Sequence, residues 1–282
     1  MDPMMPNTET GMRQVTKWAL VVALGVVANG LHAQPRPANP IPSIDAITAP
    51  IRILWIGNSY TYRNDLPRTL TTLALAAGEN RVPAITAVLK GGQYLRGHAQ
   101  RRDLPALLAQ RWDYVVLQDQ SLAPLEQPDS LFKYGMQLGA LAKQAGATVL
   151  LYVTWPRRDT PQTGDAITTS YGRLAAALGA TMVPVGTAWM SMRTAMPSAD
   201  LYEEDGSHPS PIGTYLAASV FYRALYGRPV TGLPGAGYQV RANRYHADSA
   251  PPPLQRVALP ADEVAAVQRV VDQLFSVRKQ NH

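Results

Sequence analysis

In Ile51-Arg52-Ile53-Leu54-Trp55-Ile56-Gly57-Asn58-Ser59-Tyr60-Thr61 a nearly continuous apolar run stops at a glycine and gives way to polar residues. A run without in-and-out alternation suits a strand buried on both faces, as in a parallel sheet. Shortly after it, Asp65 can cap a helix that carries Leu66, Leu70, Leu73 and Ala77 on one face. The same alternation continues downstream. Further strands are predicted at Ala84 to Leu89, Tyr114 to Leu117, Thr148 to Val153 and Met182 to Val185, and a helix with Leu131, Leu138, Leu141 and Ala145 on one face stops at Gly146. Strand and helix in turn predict a doubly wound α/β sheet. Pro184 withholds a ladder donor, which places the fifth strand at a sheet edge.

The flanks differ in texture. Arg13 and Lys17 precede an apolar run from Trp18 to Ala28, and Leu31-His32-Ala33 offers a small-residue cleavage site, so residues 1–33 read as a secretory signal rather than a membrane anchor. Residues 34–49 read as a linker, and the expected location is periplasmic or secreted. Past Gly227, residues 228–259 carry Gly, Pro and Arg without clear periodicity and read as a surface excursion. A last helix follows, with Asp262 and Glu263 in its first turn and Val264, Val267, Val271 and Leu274 on the face that docks on the same domain.

Composition excludes several chemistries. With no Cys among 282 residues there is no disulfide, thiolate zinc site or cysteine nucleophile. The net charge of +6 is scattered, and no basic run exceeds pairs such as Arg101-Arg102 and Arg157-Arg158, which argues against a nucleic-acid partner.

Ser59 follows the first strand, where open parallel sheets place their ligands. The Gly-x-Ser-x-Gly elbow of α/β-hydrolases is not met, because Thr61 holds its last position. A serine nucleophile needs a base, and of the five histidines His32 falls in the signal and His282 ends the chain. His208 stands in Asp205-Gly206-Ser207-His208-Pro209-Ser210-Pro211, just before a helix that Ser210 can cap. An Asp three residues before a His can fold back, accept the Nδ1 proton and leave Nε2 outward as a base. Backbone donors for an oxyanion could come from Gly91 and Gly92, and an amide donor from Gln118 or Gln120 after the third strand.

Together these residues resemble the SGNH, or GDSL-like, hydrolase superfamily, over about residues 50–227. Gly57-Asn58-Ser59 matches its first block, with Asn58 in place of the usual Asp. Gly91 fits its second, with Gly92 one residue out of register, and Asp205 with His208 fits its fifth. The third block departs: Gln118-Asp119-Gln120-Ser121 stands where the family has Gly-x-Asn-Asp, with Gln120 at the Asn position. The resemblance implies a flavodoxin-like three-layer α/β/α sandwich around a mainly parallel five-stranded sheet. It also implies ester hydrolysis through an acyl-enzyme on Ser59, with His208 as base, Asp205 as its orienter and Ser59, Gly91 and Gln120 as oxyanion hole, without cofactor or metal.

Around that set, Asn58, Gly92, Gln118, His98 and Trp155 are candidates for substrate contact. His98 could line the cleft or be a solvated helix residue, and Trp155 could stack a sugar or cap the core. Glu203 and Glu204 lack the His spacing of a transition-metal site. The expected function is an exported esterase removing short acyl groups, such as acetyl, from a small-molecule or glycan ester. The alternatives are an O-acyltransferase with the same triad, separated by adding a glycan acceptor, and a non-catalytic glycan-binding protein, separated by its failure to hydrolyse an activated ester.

Overall fold

The computed structural model describes residues 49–240 and 254–280. The signal expected at 1–33, the linker except its last residue, His246 and the Pro251-Pro252-Pro253 run lie outside the described residues. In chain order the described elements begin with β1 (Ile51–Gly57), α1 (Ser59–Tyr62), α2 (Leu66–Ala76), β2 (Pro83–Leu89), α3 (Leu95–Ala99), α4 (Leu104–Leu108), β3 (Tyr114–Leu117) and α5 (Ala123–Glu126). They continue with α6 (Pro128–Gln144), β4 (Thr148–Tyr152), α7 (Gly164–Leu178), β5 (Thr181–Val183), α8 (Val185–Ala195), α9 (Pro211–Tyr226), β6 (Ala236–Val240), β7 (Leu254–Ala258) and α10 (Ala261–Gln280). All of them fall within one compact unit.

Five strands form one parallel sheet in the order β2-β1-β3-β4-β5. The apolar run that opens β1 is buried on both faces, and its side chains part between two layers. Ile51, Ile53 and Trp55 join Val116, Leu150 and Tyr152 in a core closed by α2, α8, α9 and α10. Leu54 and Ile56 join Val115, Leu117, Val149 and Leu151 in a second core closed by α6 and α7. The expected α/β/α sandwich is therefore present. Strand order reverses between β1 and β3, so the crevice for a ligand opens at the carboxyl ends of those two strands. Gly57 ends β1 and Gln118 follows β3 in adjacent register.

The punctuation residues act as read. Asp65 Oδ1 accepts the Arg68 N–H at the start of α2, and Ser210 Oγ accepts the Gly213 N–H at the start of α9 with Pro211 in the first helical position. Pro184 ends β5 at the sheet edge and starts α8, so the strand is shorter than the predicted Met182 to Val185.

The excursion at 228–259 is corrected in part, because β6 and β7 within it pair as an antiparallel hairpin. Its Gly- and Pro-rich approach hid the pairing, but Tyr238 gives the hairpin a foothold: its hydroxyl lies 3.3 Å from Thr72 Oγ1 and the Arg68 guanidinium covers its ring. The apolar face of α10 packs against α8 and α9 through Val267 and Val271. Among the described residues no helix is long and apolar enough to cross a membrane.

Candidate active site

Ser59 opens the short helix α1 directly beyond β1. Asn58 fixes that turn with all of its amide. Its Oδ1 caps the helix by accepting the Tyr60 N–H at 3.1 Å and also accepts Gln118 Nε2 at 2.6 Å, while its Nδ2 donates to the carbonyls of Gln93 and Asp119. Gly57 is glycine because a Cβ there would lie 2.5 Å from Gln118 Oε1. That oxygen is occupied in turn by the Asn58 N–H at 3.1 Å and the Thr61 hydroxyl at 2.8 Å.

The segment before α9 delivers the partner groups. Asp205 Oδ1 accepts the N–H of Ser207 and of His208, both at 2.9 Å, and its Oδ2 meets His208 Nδ1 at 2.5 Å. Burial raises the Asp205 carboxyl, but the bonds from the His208 ring and from the two backbone N–H groups outweigh it and leave the group below the usual carboxylate range. An ionised carboxylate can only accept, so Nδ1 carries the proton and Nε2 is left as the acceptor. Ser59 Oγ lies 2.8 Å from Nε2. Ser59 and His208, 149 positions apart in sequence, thus form one hydrogen-bonded chain with Asp205.

The loop carrying His208 is clamped from several sides. Trp155 Nε1 donates to the Ser207 carbonyl at 3.1 Å, the Glu203 N–H donates to the His208 carbonyl at 2.8 Å, and the Tyr60 hydroxyl lies 2.7 Å from Ser207 Oγ. Asn64, fully buried, donates from Nδ2 to the Pro209 carbonyl at 2.8 Å and to Glu203 Oε1 at 3.1 Å, tying the loop after α1 to the His208 segment.

A cleft of about 130 Å³ opens over Ser59 and His208. Its walls include Tyr60, Ser207, Gln120, Ser121, Gly92 and Arg157. Gly92 is the third residue of a turn closed by a bond from the Gln93 N–H to the Lys90 carbonyl, and its φ of +64° suits glycine. That bond leaves the peptide N–H groups in the middle of the turn unused by it.

A protein from Slackia heliotrinireducens assigned to the SGNH hydrolases matches at 32% identity and a TM-score of 0.52, covering 62% of this chain and 98% of that one. This chain belongs to the SGNH hydrolase superfamily. No family model matches the sequence, and no curated protein matches it significantly. A DUF4886 family protein from Bacteroides uniformis shares the fold at 20% identity and a TM-score of 0.60, over 82% of this chain and 96% of that one. An acetyl xylan esterase shares it at 15% identity and a TM-score of 0.52, over 62% and 100%.

Within this SGNH hydrolase several expected substrate contacts turn out to be supports. Gln118 is fully buried, and both ends of its amide are spent on Asn58, Thr61 and the Asp119 carbonyl, so it holds the serine turn and does not reach the cleft. Asn58 touches the cleft with no hydrogen-bonding capacity left over. Gly91 is not among the residues lining the cleft; a Cβ there would lie 2.9 Å from the Tyr62 hydroxyl, and Gly92 takes the cleft position instead.

His98 neither lines the cleft nor is solvated. It is 1% exposed, and its Nε2 lies 2.8 Å from the Gly57 carbonyl, bracing the end of β1. Burial, despite the bond to Gly57, lowers its pKa, so the ring is neutral and Nε2 is the donor. Trp155 cannot stack a sugar. Its ring is sandwiched between Tyr60 at 4.6 Å and Trp189 at 3.9 Å, both within 3° of parallel.

Gln120 lies where the amide donor was expected. Its Oε1 accepts the Leu122 N–H at 2.6 Å, which leaves Nε2 as the end that can serve the cleft. Beneath it Asp119 receives on Oδ1 the N–H groups of Gln120 and Leu95, both at 2.8 Å, so one carboxylate ties the third block to the helix after the Gly92 turn. Burial pushes that carboxyl up to about 6, against the N–H bonds that lower it. Sequence reading missed Asp119, Asn64, Ser207 and Arg157. Ser207 and Asp119 had a local signal, since they lie inside the Asp205-to-His208 spacing and the Gln118-to-Ser121 block.

Proposed function

We propose that this SGNH hydrolase is a serine esterase acting through an acyl-enzyme. The observation that carries the reading is the continuous chain from Ser59 Oγ to His208 Nε2 at 2.8 Å and from His208 Nδ1 to Asp205 Oδ2 at 2.5 Å. His208 takes the hydroxyl proton as Oγ attacks the acyl carbon, and Asp205 holds the imidazolium that forms. The oxyanion meets the N–H of Ser59, which the helix leaves free as its first residue, together with the Gly92 N–H and Gln120 Nε2. Collapse expels the alcohol, which leaves with the His208 proton. Water activated by the same Nε2 then releases the acid and restores Ser59.

Cleft size and polarity favour a short acyl group. A cavity of about 150 Å³ takes up a molecule the size of benzene, so about 130 Å³ bounded by Ser121, Ser207 and Gln120 suits an acyl chain of a few carbons. Acetyl esters of carbohydrates fit that requirement. The export expected from residues 1–33 would place the enzyme where glycans are met.

Purified chain incubated with p-nitrophenyl acetate tests the reading. The expected result is steady release of p-nitrophenol that Ser59→Ala reduces by about 10⁴-fold or more, with a fluorophosphonate probe labelling the wild type alone. Undiminished turnover in Ser59→Ala overturns it. Products that carry the acyl group on an added glycan would instead assign acyl transfer.

A further inference from the structure

The two arginines after β4 have opposite fates. Arg158 is engaged throughout: its guanidinium bridges to Asp200 at 2.9 Å and donates to the Glu203 carbonyl at 3.0 Å, and its N–H donates to the Gly206 carbonyl at 2.9 Å. Arg157 lines the cleft over Ser59, and among the described residues its guanidinium has neither a carboxylate partner nor a hydrogen bond. Its Nε is buried without an acceptor.

Leaving a buried donor unsatisfied is destabilising, and more so when it belongs to a charged group. A solvated rim arginine escapes that cost by pointing to water, and this one does not escape it fully.

The backbone that presents Arg157 is held on both sides. On one side Trp155 lies between two rings with its Nε1 on the Ser207 carbonyl, and the Pro156 carbonyl accepts the Tyr202 hydroxyl at 2.9 Å. On the other side stand the Arg158 bonds to the His208 loop. A full positive charge is therefore presented from a fixed backbone into the cleft whose other walls are hydroxyls, amides, glycine and the His208 ring. Among the described residues no carboxylate lines the cleft.

We infer that Arg157 is a specificity residue and that the natural substrate is an ester carrying a carboxylate or similar oxyanion near the scissile bond. A planar guanidinium pairs such a group through parallel N–H bonds that an ammonium cannot reproduce. The terminal Nη groups, which no protein acceptor occupies among the described residues, are the donors for such an anion. It can sit on the acyl side, as in a dicarboxylate half-ester, or on the alcohol side, as in an acylated sugar acid. The inference rests on the esterase reading of the same site.

Two matched pairs of esters test it: p-nitrophenyl succinate against p-nitrophenyl butyrate, and p-acetoxybenzoate against its methyl ester. In one pair the wild type should favour the charged member, each rate taken relative to spontaneous hydrolysis. Arg157→Gln should lower the charged-to-neutral ratio of kcat/KM by about 10- to 100-fold, the loss expected of a charge-assisted pair, and Arg157→Lys by less. The pair that responds locates the anion. No preference in the wild type, or equal loss on charged and neutral members, overturns the assignment while leaving the esterase reading intact.

If none of the esters nor p-nitrophenyl acetate is turned over, it is the esterase reading that fails. Arg157 is then judged by binding: millimolar succinate or p-acetoxybenzoate should raise the Tm of Ser59→Ala and not of Ser59→Ala with Arg157→Gln. Absence of that difference overturns the inference as well.

Discussion

The carboxylate of Asp205 serves His208 at two places at once, with Oδ1 on its backbone N–H at 2.9 Å and Oδ2 on its ring Nδ1 at 2.5 Å. One contact shapes the turn and the other selects the tautomer, so they can be separated. Asp205→Asn keeps an oxygen for the two N–H groups but turns a donor toward Nδ1, which forces the ring proton to Nε2 and blocks acceptance from Ser59. Turnover of p-nitrophenyl acetate should fall by about 10⁴-fold, the scale seen when a triad carboxylate is made an amide, with an unchanged circular dichroism spectrum. A loss under tenfold would mean that the tautomer is not set by this carboxylate.

How much of this was legible follows from where each signal lies. The strands were legible because a parallel sheet buries both faces and so writes an uninterrupted apolar run, as in Ile51 to Ile56. Asp205 and His208 were legible because their contact is local, closed within one turn. Gln118 and Gln120 are two residues apart, and only the tertiary contacts of β1 with β3 decide that the first is consumed under Asn58 while the second reaches the cleft. His98 and Trp155 were misjudged or left open for the same reason, since their partners, Gly57 and Tyr60 with Trp189, come from distant segments. Asn64 sits in a polar loop that gives no hint of its bond to Pro209, 145 residues away.

Gln120 invites a comparison of two variants. Gln120→Ala removes the side-chain donor and should lower kcat by about 100- to 1000-fold, the usual cost of one oxyanion donor. Gln120→Glu keeps an oxygen for the Leu122 N–H but places a carboxylate where Nε2 stood, so its loss should be larger still. Equal rates for wild type and Gln120→Ala in the ester assay would remove this side chain from the oxyanion hole.

Asp119 carries a pH signature. Its carboxyl is pushed up to about 6 from an ordinary value of 3.8, chiefly by burial. The unfolded chain therefore gives up this proton first as pH rises. The favourable contribution is complete below the ordinary value and is lost as pH climbs through the folded one. Asp119→Asn keeps an Oδ1 acceptor for Leu95 and Gln120 without the ionisation. Between pH 4 and pH 7 the stability of the variant relative to wild type should improve, by on the order of 3 kcal/mol, read from denaturant midpoints at each pH. A difference that does not vary with pH would show that Asp119 titrates alike in the folded and unfolded states.

Asn64 combines two demands that can be told apart. Its φ of +55° lies in the left-handed region, and its buried Nδ2 holds the Pro209 carbonyl next to His208 as well as Glu203. Asn64→Ala loses both bonds and forces an L side chain into that backbone, whereas Asn64→Gly loses the bonds alone. Lost bonds to buried acceptors predict a destabilisation of about 2–3 kcal/mol for alanine, and relief of the left-handed cost, net of glycine's larger unfolded-state entropy, leaves the glycine variant better by about 0.5–1 kcal/mol. Activity should not follow that ranking. Both variants release the carbonyl beside the base, so both should lose about 10- to 100-fold in kcat, as expected when a reacting group drifts by an ångström or less. Thermal melts and ester kinetics on the two proteins check this, and a glycine variant with wild-type kcat would show that the Pro209 tether does not position His208.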